Sequence, residues 1–425
     1  MIRKEWPRCG VERWEGKTSA GLPVFVFPMP GFQTKYAILA TRFGGCDRRF
    51  RRGGREWEAP AGIDHYLEHK MFDMPDYNAA ERLSALGAGP NAYTGDGMTG
   101  YLFSCTQRFE ECLEELLRFV TTPSFTPEGV DKERGIITQE IKMAEDDPER
   151  RVDRNLFRAL YRDHPIRDPI VGTLKSVASI TADTLNDCHR AFYTPGNMAL
   201  CCAGDIDPEK VMELAEKLTP PGGEAPARDY GSEEDPNPAA VRVEEKMEVS
   251  MPLFQLGAKL PWKADCGEFA RDMLLADLSC ELLLGPGSPL YAQLYQEGVI
   301  NQSFYVGTYD FPHGGVLYAG GRCPDPMAVL GRITDAAEAF SADREAEARL
   351  ERLKRARLGG FLMSLDAPED LPDMQVESYF GGWERMELPS MVDSVGIEEA
   401  ERFLKEMFRP QRLALSVIAP LGKEG

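Results

Sequence analysis

Two of the chain's five histidines, His65 and His69, stand four residues apart with Glu68 between them. On a helix, side chains four apart lie on one face, one turn above the other. Two imidazole nitrogens placed in this way can reach one tetrahedral zinc at about 2.0–2.1 Å each. Glu68, three residues after His65, neighbours that face and can reach a water at such a metal without being a ligand. With 5 histidines in 425 residues, on the order of one chain in two hundred of this composition would show the spacing by chance. The flanks suit a helix. Ala61-Gly62-Ile63-Asp64 offers a start, and Leu67, Met71 and Phe72 supply an apolar side.

A catalytic zinc takes a third protein ligand and keeps one position for water. The remaining histidines fit poorly: His164 precedes Pro165 in a loop-like stretch, His189 lies in a charged helix, and His313 follows Pro312. A carboxylate fits better. The helix predicted from Thr126 to Glu145 carries Glu133, Ile136, Ile137, Glu140, Ile141 and Ala144 on one broad face. Glu140 sits among apolar residues, where burying a carboxylate is costly unless it is paired or bound to metal. Its spacing fits a surface carboxylate equally well. Glu133, two turns earlier on the same side, can orient a ligand from behind.

The elements that must position these groups follow from periodicity and breakers. Strands are predicted at Leu22–Phe27, Tyr36–Ala40, Tyr101–Ser104 and Phe254–Gly257, and helices at Phe109–Thr121, Thr181–Phe192 and Glu345–Leu365. Hairpin-like strands come early in each half and helices follow, which predicts an α+β fold with a largely antiparallel sheet in each half. The Pro-, Gly- and acid-rich stretch 219–240 reads as a linker between residues 1–218 and 241–425. The two parts look like repeats. Phe192-Tyr193-Thr194-Pro195 running into Cys201-Cys202-Ala203 has its counterpart in Phe408-Arg409-Pro410 running into Ser416-Val417-Ile418. The acidic turns Glu145-Asp146-Asp147-Pro148 and Asp366-Ala367-Pro368-Glu369 each close a long charged helix.

Composition narrows the function classes. Hydrophobic residues at 43% can bury a sizeable core, and a net charge of -20 argues against nucleic acid as a partner. The basic run Arg48-Arg49-Phe50-Arg51-Arg52 reads as a solvated loop. The opening Met1–Pro7 leads into no apolar stretch, and no run is long enough to span a membrane. The ten cysteines are scattered without a CxxC pair, so a reduced, cytoplasmic chain is expected.

HxxEH is an inverted zinc motif. Together with Glu133-Arg134-Gly135-Ile136-Ile137-Thr138-Gln139-Glu140-Ile141, Pro90-Asn91-Ala92-Tyr93-Thr94 and Gly172-Thr173, it resembles the insulinase, pitrilysin and mitochondrial processing peptidase family, nearest to its small bacterial YmfH-like members. The resemblance covers essentially the whole chain and is strongest from Gly62 to Gly204. It implies a zinc endopeptidase with one Zn2+ per chain, His65, His69 and Glu140 as ligands, and Glu68 as general base. It also implies that Asn91, Ala92, Tyr93 and Thr94 form an edge strand that pairs with extended peptide. The gap from His69 to Glu140 is shorter than is usual in the family, which places a deletion at Asp73–Asn78, ahead of the ligand helix.

The second half departs from the zinc pattern. Its counterpart helix, Asp272–Leu284, has no histidine, and Leu358-Gly359-Gly360 offers no carboxylate in place of Glu140. Active members of the family carry an Arg and a Tyr here that help bind substrate, and Tyr295 and Asn301 stand in those positions. The resemblance therefore implies a zinc-bearing chain whose homologous partner supplies the Arg and Tyr, or else another local group that takes that role; a homodimer is the other assembly expected. The alternative is a non-catalytic structural or assembly subunit of the same fold. The intact set His65, Glu68, His69 and Glu140 favours the enzyme.

Overall fold

The apolar runs that read as strands lie side by side in the computed structural model, which describes residues 1–421. The first strands are Ile2–Trp6 (β1), Val11–Lys17 (β2), Pro23–Pro28 (β3), Lys35–Thr41 (β4), Arg49–Arg52 (β5), Arg55–Glu58 (β6), Gly89–Thr94 (β7), Thr99–Cys105 (β8), Met198–Gly204 (β9) and Ala227–Asp229 (β10). The others are Arg242–Met247 (β11), Leu253–Leu260 (β12), Tyr305–Phe311 (β13), Gly314–Arg322 (β14) and Ala414–Pro420 (β15). They form a seven-stranded sheet of order β1-β2-β3-β9-β4-β8-β7, a small sheet β10-β5-β6 and a five-stranded sheet β11-β15-β12-β14-β13.

The duplication is visible in the topology. The order β3-β9-β4-β8-β7 recurs as β11-β15-β12-β14-β13. In each case the first pair is parallel and the rest antiparallel. The proline stops Pro195–Asn197 and Pro410–Arg412 are 3₁₀ turns that lead into β9 and β15. The chain therefore has the expected α+β fold of two related halves.

The two compact units cross the sequence halves. One contains residues 1–141, 168–230 and 361–386, and the other contains 142–167, 231–360 and the described residues from Glu387 on. The physical reason lies in the central strands. Every residue of β9 and β12 is buried. Strands buried on both faces need helices on both faces. After the turn at Asp147-Pro148, helix Pro148–Leu160 lays Val152, Leu156 and Ala159 on the second sheet, against β12 and β15. Asp147 caps this helix by accepting from Glu149 N. After the turn at Pro368, helix Asp370–Gly381 packs on β3, β4 and β9 of the first sheet. Each sheet thus takes one covering helix from the other half of the sequence.

Two expectations change here. The run Arg48–Arg52 is not a solvated loop: β5 is the middle strand of the small sheet. Its Phe50 is buried, with its ring centroid 4.8 Å from that of Phe192, and the alternation of a strand leaves the flanking arginines off that face. The stretch 219–240 is pinned rather than free, because β10 pairs with β5 and Arg228 Nε lies 2.8 Å from Oδ1 of the buried Asp47. All ten cysteines are free thiols. Among the described residues no helix is long and apolar enough to cross a membrane.

Candidate metal centre

The motif helix is Ile63–Met71, and its start depends on glycine. Gly62 has φ +87°, a left-handed conformation that costs glycine little. A Cβ at Gly62 would lie 2.8 Å from Gly172 Cα, and one at Gly172 (φ +77°) would lie 2.5 Å from Ala61 O. The two glycines interlock, and this fixes where the helix begins. Ile63, Tyr66, Leu67 and Met71 then face the core, none more than 1% exposed. Burying each large apolar side chain contributes about 1.5–3 kcal/mol, so this face dictates the helix's rotation. The opposite face presents His65, Glu68 and His69.

The second helix, Pro127–Asp146, buries Val130, Ile137 and Ile141. The Tyr66 hydroxyl donates to Val130 O and ties the two helices together. Glu140 then faces both imidazoles: its Oε2 is 3.7 Å from His65 Nε2 and 3.8 Å from His69 Nε2. Of the two settings the sequence left open for Glu140, the structure has the less buried one. Its side chain is 29% exposed and Ile136 is 47% exposed, because the core lies only along the Ile137–Ile141 line.

The donor set fits a zinc ion. One ligand atom each from His65, His69 and Glu140 lie within 4.8 Å of one another. Tetrahedral bonds of about 2.0–2.1 Å require donors about 3.3–3.4 Å apart, a few tenths of an ångström closer than these pairs. His69 Nδ1 is 3.0 Å from Glu133 Oε1. With Nδ1–H donating to that carboxylate, Nε2 keeps its lone pair towards Glu140. The same contact with Glu133 holds the His69 pKa above its ordinary value. Burial and the neighbouring His69 push His65 down to about 4, so its ring is neutral and able to ligate at pH 7. Among the described residues no other set of three such side chains converges in this way.

Glu68 lies beside the cluster. Burial raises its pKa, and its Oε2 accepts a hydrogen bond of 2.7 Å from Thr94 Oγ1. The four residues expected on the peptide-pairing strand therefore have different roles. They lie in β7, which is the last strand of its sheet and pairs with β8 along one side. Thr94 reaches Glu68, Ala92 packs against the core, Asn91 accepts from Ala92 N at 2.9 Å, and Tyr93 points to the opposite face, as strand alternation requires. β7 thus has a strand partner along one edge only. Nothing in the sequence linked Thr94 to Glu68, since the contact spans two elements. The Asp73–Asn78 segment, expected to be shortened, is a tight turn closed by a bridge between its ends.

The other histidines are structural. His189 is buried, with Nε2 3.2 Å from Val120 O, and desolvation pushes it down to about 4. His164 bonds Pro312 O through Nε2 at 2.8 Å, and His313 stacks on Trp262 with centroids 4.2 Å apart.

In the second unit, helix Cys266–Leu284 carries Asp277 and Glu281 four residues apart. Arg357, on helix Arg344–Ser364, lies 3.6 Å from Asp277. On these two helices a guanidinium meets a carboxylate, and neither helix carries a histidine. Tyr295 is 44% exposed and stacks on Tyr291. Asn301 is occupied in a turn: its Nδ2 donates to Arg322 O and its Oδ1 accepts from Ser303 N, each at 2.8 Å.

A relative from Bacillus subtilis (strain 168), named as the zinc protease YmfH, is 33% identical over 95% of this chain and 96% of its own length. The chain belongs to the insulinase family, peptidase family M16. The insulinase family model matches residues 54–174, which include the motif helix and Glu140, and the model described as the peptidase M16 inactive domain matches residues 179–357. A zinc protease of Mycobacterium leprae (strain TN) is 26% identical over 85% of this chain and 83% of its own. Among solved structures, an M16-like peptidase from Alicyclobacillus acidocaldarius superposes with a TM-score of 0.91 at 32% identity, covering 99% of this chain and 100% of that one. A peptidase M16 inactive domain from Pseudomonas fluorescens, at 15% identity and a TM-score of 0.81, shares the fold.

Proposed function

We propose that this insulinase-family chain is a zinc endopeptidase of the cytoplasm, the metal-bearing subunit of a pair. Its substrates are peptides or unfolded segments bound as an added strand along β7. The observation that carries this reading is the convergence of His65, His69 and Glu140, with the half-buried Glu68 alongside and a terminal strand of the sheet next to it.

His65, His69 and Glu140 would hold the ion, one per chain, with Glu133 fixing the His69 ring. Zinc, when bound, supplies an activated water at neutral pH and polarises the scissile carbonyl. Glu68 accepts a proton from the attacking water and returns it to the leaving nitrogen. Its raised affinity for a proton suits that shuttle, and the Thr94 hydroxyl fixes one of its oxygens. The β7 backbone contributes hydrogen bonds of about 0.5–1.5 kcal/mol each to an extended segment. Folded proteins, whose backbone groups are already paired, bind poorly there.

Glu133→Gln is expected to weaken zinc binding about 10–100-fold, measured by competition with a chromophoric chelator. Unchanged affinity would remove Glu133 from its orienting role. The pairing is tested with fluorescent casein. The zinc-loaded chain alone should cleave slowly, and a homologous subunit carrying the Arg and Tyr should raise the rate at least about tenfold by transition-state contacts. Full-rate cleavage by the lone chain, unaffected by such a partner, would sink the heterodimer. Tyr295 and Asn301 favour the second reading, a structural subunit. A chain that holds no zinc after gentle purification would support it.

A further inference from the structure

The edge strand β7 ends at Thr94, whose hydroxyl lies 2.7 Å from Glu68, and the chain then turns through residues 95–98 into β8. That turn is held from outside by the loop 42–47, which follows β4. Gly45 N donates to Gly95 O at 3.0 Å, and Cys46 N donates to Asp96 O at 2.9 Å. Gly44 packs so closely that a Cβ there would lie 2.4 Å from Gly95 O and 2.6 Å from Met98 N. At the start of β8, Thr99 Oγ1 donates to Phe43 O at 2.9 Å. The place of the turn, and of Thr94 beside it, is therefore set by the place of this loop.

The loop in turn is fixed by one carboxylate. Asp47 is fully buried, and its Oδ2 accepts from Gly44 N at 3.0 Å. Its Oδ1 accepts from Arg228 Nε at 2.8 Å and from the Tyr230 hydroxyl at 2.9 Å. Arg228 Nη2 also bonds Arg42 O and Asn197 Oδ1, the latter at 2.7 Å. Both ends of the loop, Arg42 and Asp47, thus meet one guanidinium. A buried ion pair of this kind adds little net stability, because desolvation offsets the attraction. What it fixes is direction, since a planar guanidinium donates only along set lines. Arg228 lies on β10, with Tyr230 just beyond it, in the stretch that joins the two sequence halves.

We propose that Asp47 and Arg228 are positioning residues for the peptidase reaction. Held between them, the loop 42–47 clamps the β7–β8 turn and so keeps the Thr94 hydroxyl on Glu68. This rests on the reading of Glu68 as the base that accepts the water's proton. The stretch between the halves thereby acts on that base without touching it.

The test uses the full chain loaded with zinc, as Thr94→Val, Arg228→Lys and the two together, with Tyr230→Phe as the milder change if Arg228→Lys does not fold. Amide hydrogen exchange at residues 44–46 and 95–98 should accelerate about tenfold in Arg228→Lys, as loss of one hydrogen bond implies. Protection of 63–71 should stay unchanged and zinc remain at one per chain. With casein peptide and any required partner, Thr94→Val and Arg228→Lys should each lower kcat about tenfold. The double variant should fall no further than Thr94→Val alone, because both changes break one chain of contacts. Losses that multiply in the double variant would overturn the proposal, since Arg228 would then act by another route. So would unchanged kcat in Arg228→Lys, or exchange that accelerates evenly over the whole first unit, which marks a general loss of stability. If the unmodified chain cleaves nothing under any condition, the peptidase reading has failed, while exchange at 44–46 and 95–98 still decides whether Asp47 and Arg228 hold the turn.

Discussion

Glu68→Gln is expected to keep its zinc and lose hydrolysis by roughly 10²–10⁴-fold, the range for removing a general acid–base group. The substitution preserves shape and the hydrogen bond from Thr94 Oγ1, now 2.7 Å from Glu68 Oε2, because an amide oxygen accepts as a carboxylate does. What is lost is proton affinity. An amide cannot take a proton from water at neutral pH, so attack slows although the ion and the strand edge stay in place. The check is a pair of measurements on one preparation: zinc per chain by atomic absorption, and turnover of casein peptide. Unchanged turnover would remove Glu68 as the base. Lost zinc would mean that Glu68 is a ligand, or that the motif helix has moved.

Glu140→Ala should behave differently, losing metal and activity together. Structural zinc sites with four ligands bind with about 10–16 kcal/mol, so one ligand carries about 2.5–4 kcal/mol and its loss should weaken binding on the order of 10²–10³-fold. Glu140 also has a special place among the three. His65 and His69 sit on one helix and keep their spacing whatever else happens, whereas Glu140 comes from a second helix and closes the site at 3.7 and 3.8 Å. Little stability should be lost, since its side chain is 29% exposed, so the variant should fold and show the metal effect cleanly. Equilibrium dialysis against a buffered zinc series measures it. Wild-type affinity in Glu140→Ala would mean that the third ligand is another residue.

Much of the site was legible because its parts are local. The His65–His69 spacing is a property of one helix turn, and the predicted helix Thr126–Glu145 matches Pro127–Asp146 almost residue for residue. The strand at Tyr36–Ala40 and the helix Phe109–Thr121 were legible for the same reason. The environment of Glu140 was left undecided: its apolar neighbours in sequence occupy more of the helix surface than the core covers, so Ile136 is left in solvent. The Arg48–Arg52 run was misread because a single buried aromatic, Phe50, outweighs the four arginines that flank it.

By itself the sequence determined the chemistry available to this chain: an imidazole pair with a carboxylate between them on one helix, a second carboxylate on another, and a duplicated α+β framework. Those features depend on residue type and on spacings of a few residues, where helix and strand geometry leaves little choice. Only the tertiary structure decided which of them meet. Periodicity tells which face of an element is apolar, but many apolar faces could cover it, and the choice depends on the whole packed core. That is why helices 148–160 and 370–381 each cover the sheet of the other sequence half. It is also why Thr94 reaches Glu68 across 26 residues and why Asp373 and Tyr36, far apart in the chain, share a hydrogen bond on the first sheet.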